Sequence, residues 1–156
     1  MRIGQGIDVH RFSDVARPLW LGLVEIPDAK GLAGHSDADV ASHALCDALL
    51  GAANLGDLGR HFSDRDPAYR DVSSRYLLES TVSMVRDAGF EVTSGDVTIV
   101  CEHPRLALYL PAMGHELSRV VGAVVSVKAT TSEGLGAIGR GEGIAASAVV
   151  LLEERR

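Results

Sequence analysis

Aromatic residues are scarce in this chain, at 4% of 156 residues with a single Trp, although 46% of the sequence is hydrophobic. A core therefore has to be assembled from Val, Leu, Ile and Ala packed closely around the 17 glycines, a composition that suits layered α/β architecture. Cysteine is nearly absent. Cys46 and Cys101 stand in apolar stretches outside any CxxC pair, which excludes a disulfide framework and reads as two buried, reduced thiols. No apolar run is long enough to span a bilayer, and Met1-Arg2-Ile3-Gly4 opens without the apolar core of a signal peptide, so the expectation is a cytoplasmic protein without a membrane partner. Basic runs are missing too: 15 Lys and Arg face 21 Asp and Glu without clustering, which argues against nucleic acid as a partner. The net charge of −6 also repels anionic substrates at long range unless local cations, metal ions included, offset it.

A chain of this length buries roughly 70% of its unfolded surface as one domain, and no repeat, low-complexity tract or linker divides residues 1–156. The opening RIGQGIDVH alternates as a strand, with Ile3, Gln5, Ile7 and Val9 on one face and Gly4, Gly6, Asp8 and His10 on the other. Leu19 to Ile26, between Pro18 and Pro27, predicts a second strand able to pair with the first as a hairpin. Ser36-Asp37-Ala38-Asp39 resembles a capping box opening a helix to about Ala53, with Val40, Ala41, Ala44, Leu45, Ala48 and Leu49 as its apolar arc. Asp39, His43 and Asp47 recur every four residues along one edge of it, a stripe that a solvated face would also produce. Residues 56–70 read as a mobile loop of the sort that covers sites, and Ser73 to Ala88 as a helix. Beyond it, a strand at Asp96 to Cys101, a helix at Leu108 to Val121 with Pro111 in its first turn, and a strand at Ala123 to Ala129 give a βαβ-like order. A glycine-rich turn over 134–143 leads into a last strand from Ile144 to Leu152.

Asp8 and His10, two apart on a strand, project the same way and can reach one metal ion; alone, a DxH pair is weak evidence. With His43 as third ligand the set leaves one tetrahedral position open, the pattern of a catalytic zinc. A helical histidine is nonetheless more often structural than ligating. Lys128-Ala129-Thr130-Thr131-Ser132-Glu133 sets hydroxyls and backbone amides at a strand end, where phosphates bind, with Glu133 open to a hard cation; a capped turn explains the same residues equally well. Gly139-Arg140-Gly141-Glu142-Gly143 lacks the GK[ST] ending of a Walker motif and is not GxGxxG.

Four stretches in this order, IGQGIDVH, SDADVASHA, KATTSEGLG and GRGEG, resemble the 2-C-methyl-D-erythritol 2,4-cyclodiphosphate synthase family over essentially the whole chain. The resemblance implies a single α/β (α+β) domain with a four-stranded mixed sheet, helices on one face, and a homotrimer with active sites between subunits. It implies zinc on Asp8, His10 and His43, and magnesium or manganese on Glu133. His35 and Ser36 then belong to an active-site loop, and Asp57, Leu58, Gly59 and Asp64, with Asp47, to the pocket for the methylerythritol phosphate end. Cys101, Arg105, Leu106, Ala107, Ala129 and Thr130 would hold the cytidine. Thr131 would hold the α-phosphate, with Thr131, His35 and Asp57 the catalytic set. Arg140, also expected among the substrate-binding residues, would lie near the trimer axis, where Ala137 replaces a common Phe. Gln5, Cys101 and Arg105 also differ from residues common in the family, and none of these departures removes a metal ligand. The implied activity is metal-assisted intramolecular phosphoryl transfer that turns 4-diphosphocytidyl-2-C-methyl-D-erythritol 2-phosphate into the cyclic diphosphate and CMP. The competing readings are a metal phosphohydrolase and a noncatalytic trimeric protein that binds nucleotides or isoprenoid diphosphates.

Overall fold

The computed structural model describes residues 1–155. Strand β1 (Arg2–Arg11) is followed by the short strands β2 (Leu19–Leu21) and β3 (Val24–Ile26) and by helix α1 (Val40–Ala52). Helix α2 (Leu58–His61), a 3-10 turn (Pro67–Tyr69) and helix α3 (Ser74–Asp87) lead to strand β4 (Phe90–Val100). Helix α4 (Leu110–Val121), strand β5 (Val124–Thr130), helix α5 (Gly136–Gly139) and strand β6 (Gly143–Glu154) complete the chain. The main sheet has the order β1-β6-β4-β5: β6 is antiparallel to both neighbours, while β4 and β5 run parallel across α4. That crossover is the βαβ unit expected from the sequence. The hairpin is another matter. β1 pairs with β6, at the far end of the chain, and residues 19–26 instead fold on themselves as β2 and β3, because Gly22 and Leu23 both take positive φ and turn the chain back.

Alternation along the strands sorts the sheet into two faces. Gly6, Ala148 and Val97 are in register and buried under the helices, as are Ile144, Ala146, Val150 and Leu152 of β6. The opposite face carries Ile3, Ile7, Val9 and Val124, which stand 74, 63, 57 and 74% exposed. Helices thus cover one face only.

α1 is the central element, enclosed on nearly every side, with Val40, Ala41, Ala44, Leu45, Ala48 and Leu49 fully buried. It starts at Val40 and not at Ser36: Ala38 holds φ at 57°, a left-handed conformation that no helix continues through, and Asp39 is the cap, its carboxylate accepting the Ser42 amide. The same carboxylate accepts the Gly22 and Leu23 amides at 2.8 Å and the Ser42 hydroxyl, so it is both fully buried and fully partnered. The stretch expected to be loop over 56–70 holds α2 and the 3-10 turn, each opened by an aspartate cap, Asp57 and Asp66.

The seam between β1 and α1 explains the glycines. A Cβ at Gly4 would lie 2.0 Å from the Ala48 carbonyl oxygen, and one at Gly6 would lie 2.0 Å from that of Ala44. Helix backbone rests directly on strand backbone there, with the small Ala44, Ala48 and Ala52 facing the two glycines. The next residues on this face of β1 are Asp8 and His10, and the residue before Ala44 is His43.

Candidate active site

Close packing of β1 on α1 delivers the three residues to one another. Asp8, His10 and His43 each offer a ligand atom, all within 4.8 Å of one another. His10 Nε2 and His43 Nδ1 each lie 3.1 Å from Asp8 Oδ2. The far nitrogens are both engaged: His10 Nδ1 donates to the Ala33 carbonyl at 2.5 Å, and His43 Nε2 lies 3.1 Å from the Ser74 hydroxyl and 3.2 Å from that of Ser36. A carbonyl only accepts, so His10 carries a proton on Nδ1, which leaves Nε2, the nitrogen beside Asp8, as the atom that would bind a metal. Burial pushes the Asp8 carboxyl up, but hydrogen bonds and charge from His10 and His43 outweigh it and hold the group well below the usual carboxylate range. The hydrogen bond to Asp8 in turn raises His10, against the opposing pull of burial. Two oriented imidazoles beside one ionised carboxylate fit a divalent metal with an open coordination position.

The cluster lies in the wall of a cavity of about 540 Å³. His35, Ser36, Asp47, Leu58, Gly59 and Asp64, all expected at the site, line it as well. Asp47 holds α2 in place by accepting the Leu58 amide at 2.7 Å, and burial raises its carboxyl. The stripe Asp39, His43, Asp47 is therefore no solvated edge: one residue caps and anchors α1, one joins the cluster, one fastens α2. Asp57 is not in the cavity wall; it caps α2 by accepting the Arg60 amide at 2.9 Å.

A second cavity of about 320 Å³ takes Cys101, Arg105, Leu106, Ala107, Ala129, Thr130 and Thr131. No residue is shared between the two walls. Glu133 lines neither; it stands at positive φ, where its carboxylate accepts the Thr131 hydroxyl at 3.3 Å. Arg140 also lies outside both and pairs with Glu142 at 2.6 Å. The sequence reading missed Glu102, which ties the two loops of the second cavity together by accepting the Ser132 amide at 2.7 Å and its hydroxyl at 3.0 Å; the backbone donor lowers its carboxyl. It also missed Asp37 and Ser74, which sit behind His43. Neither has a residue type or spacing that sets it apart from an ordinary capping residue.

A family model described as the YgbB family matches residues 1–153. The chain belongs to that family. Among similar proteins, the 2-C-methyl-D-erythritol 2,4-cyclodiphosphate synthase of Syntrophobacter fumaroxidans is 56% identical, with 97% of each chain aligned. That of Laribacter hongkongensis is 54% identical, over 99% of this chain and 97% of the relative. A solved synthase described as the CDP-bound form superposes with a TM-score of 0.88 at 37% identity, covering 97% of this chain and 100% of the other. The bifunctional IspDF of Campylobacter jejuni superposes at 0.93 with 40% identity; there the match covers 98% of this chain and 42% of the larger protein. The YgbB match therefore runs through both cavities, and these relatives align with nearly the whole of this chain.

Proposed function

We infer that this protein converts 4-diphosphocytidyl-2-C-methyl-D-erythritol 2-phosphate into 2-C-methyl-D-erythritol 2,4-cyclodiphosphate and CMP, the cyclising step of non-mevalonate isoprenoid synthesis, in the cytoplasm. The observation that carries this is the Asp8, His10, His43 cluster opening into the first cavity of a chain that matches named synthases over nearly its full length. An oxygen of the substrate's 2-phosphate attacks the β-phosphorus of the CDP group. The bond from that phosphorus to the bridging oxygen breaks, and CMP leaves with the electron pair. The attacking oxygen is already ionised, so neither a protein nucleophile nor a strong general base is needed. Catalysis rests on holding the two ends together, worth roughly 7–11 kcal/mol in well-oriented intramolecular reactions, and on neutralising charge on phosphoryl oxygens.

Asp8, His10 and His43 would hold zinc, and Glu133 magnesium or manganese; bound cations there supply the positive charge that an acidic chain otherwise lacks for a polyanionic substrate. His35, Ser36, Asp47, Asp57, Leu58, Gly59 and Asp64 position the methylerythritol phosphate end. Cys101, Arg105, Leu106, Ala107, Ala129 and Thr130 hold the cytidine, a role in line with the CDP named for a similar synthase. Thr131 donates to the α-phosphate. The chain works as a homotrimer: the open apolar sheet face asks for a partner, and two cavities separate in one chain become one site when a neighbour's second cavity meets the first. Arg140 lies near the trimer axis.

Phosphorus NMR of the cytidylated 2-phosphate incubated with purified protein tests this reading. Cyclic diphosphate forming with equimolar CMP, and ceasing on chelation, is the expected result. A linear product would replace the synthase by a phosphohydrolase, and unchanged substrate would leave a binding protein.

A further inference from the structure

Behind His43, on the side away from Asp8, lies a second group of polar side chains that the cyclisation mechanism does not use. Ser74, the first residue of α3, is fully buried. Its hydroxyl oxygen lies 3.1 Å from His43 Nε2, and its hydroxyl donates in a very short bond to Asp37 Oδ1. The Asp37 carboxylate also accepts the Ser74 amide at 2.8 Å and the Asp39 amide at 3.3 Å. Asp37 thus sits at the N-terminus of α3, where backbone donors and the helix dipole favour an anion.

The direction of these bonds follows from the inventory of donors. An ionised carboxylate only accepts, so the Ser74 proton points to Asp37 and its lone pairs face His43. Ser36 Oγ, at 3.2 Å, accepts the Ala38 amide and can either accept from or donate to the ring, so Ser74 is the neighbour that decides. With the Ser74 lone pairs against Nε2, His43 carries a proton there, which leaves Nδ1, 3.1 Å from Asp8, as the atom that would bind a metal.

We propose that Asp37 and Ser74 form a positioning pair that fixes the tautomer and ring orientation of His43 as a metal ligand, linking the start of α3 to the metal centre. It rests on the reading of Asp8, His10 and His43 as that centre. Residues that orient a ligating imidazole through its far nitrogen typically change metal affinity by 10- to 100-fold. The arrangement also accounts for Asp37 within SDADVASHA: Asp39 anchors α1, and Asp37 reaches across to α3.

The test is zinc affinity, measured by competition with a chelating dye on the full-length protein, together with the circular dichroism spectrum of each variant. Ser74→Ala is expected to bind zinc about 10- to 100-fold more weakly while keeping the wild-type spectrum. Ser74→Thr, which retains the hydroxyl, restores affinity, and Asp37→Asn, which keeps one oxygen for the helix start, weakens it in the same direction. Wild-type affinity in folded Ser74→Ala overturns the proposal. Should Ser74→Ala not fold, proton–nitrogen correlation spectra of the zinc-loaded wild type decide: a proton on His43 Nε2 supports the pair, and one on Nδ1 overturns it. Zinc uptake that is unchanged in His43→Ala overturns the metal reading beneath it, a failure recognisable because it needs no change at Ser74.

Discussion

The seam between β1 and α1 and the loops around Thr131, to which the proposed reaction assigns its two halves, are built in opposite ways. At the seam, backbone lies on backbone, α1 is enclosed, and Asp8, His10 and His43 meet within a single chain with their far nitrogens already engaged. Around Thr131 the side chains are mostly exposed, tied down by a few hydrogen bonds such as the pair from Ser132 to Glu102, and among the described residues Glu133 meets Thr131 alone. The contrast teaches that the proposed metal centre has its geometry before anything binds, and obtains it from the core, whereas the proposed nucleotide pocket does not. Disturbing the packing of the first should therefore cost fold and metal together; disturbing the second should cost turnover alone.

The largest expected effect is at the ligands. His43→Ala is expected to abolish cyclisation and zinc retention while the proposed trimer persists, as read by CMP release, metal analysis and light scattering. Next comes the seam itself: Gly6→Ala drives a methyl into the Ala44 carbonyl and destabilises the fold by about 1–3 kcal/mol or more, measured by urea denaturation, with metal binding lost in step. On the open face, Ile7→Glu places charge in the proposed subunit contact, and sedimentation is expected to show monomers with activity lost but the metal still bound. In the loop region Thr131→Ala lowers turnover about 100-fold, the usual scale for one donor to a phosphoryl or oxyanion group, with the denaturation midpoint unmoved. The smallest effect concerns the thiols. Burial pushes Cys46 up to about 12 and Cys101 up to about 11, so neither reacts with a disulfide reagent at pH 8 until the chain is unfolded.

Much of the seam was legible because its signals are local. Alternation in RIGQGIDVH puts Asp8 and His10 on one face, and the spacing of Val40 to Leu49 marks a helix with His43 on its edge. What escaped local reading is set by tertiary contact. The apolar face of β1, Ile3, Ile7 and Val9, is the exposed one, and the glycine face is the buried one, because α1 comes too close for any side chain at Gly4 and Gly6. β1 finds its partner in β6 through a pairing of Arg2 with Leu152 that no short-range pattern announces. Ser36 to Asp39 looks like a capping box yet forms a left-handed bend, since Asp39 is held by the turn at Gly22 and Leu23 while Asp37 is drawn to α3. Ser74 has no signature at all; its role is visible only once α3 is packed against His43.

The central claim, that Asp8, His10 and His43 hold the metal on which cyclisation depends, is tested most directly by titrating zinc into metal-stripped protein and following CMP release in the same samples with magnesium constant. Release should rise in proportion to zinc bound, stop at stoichiometry with the chain, and stay flat in His43→Ala. Turnover at full rate before any zinc is bound, or an unchanged titration in His43→Ala, would contradict it.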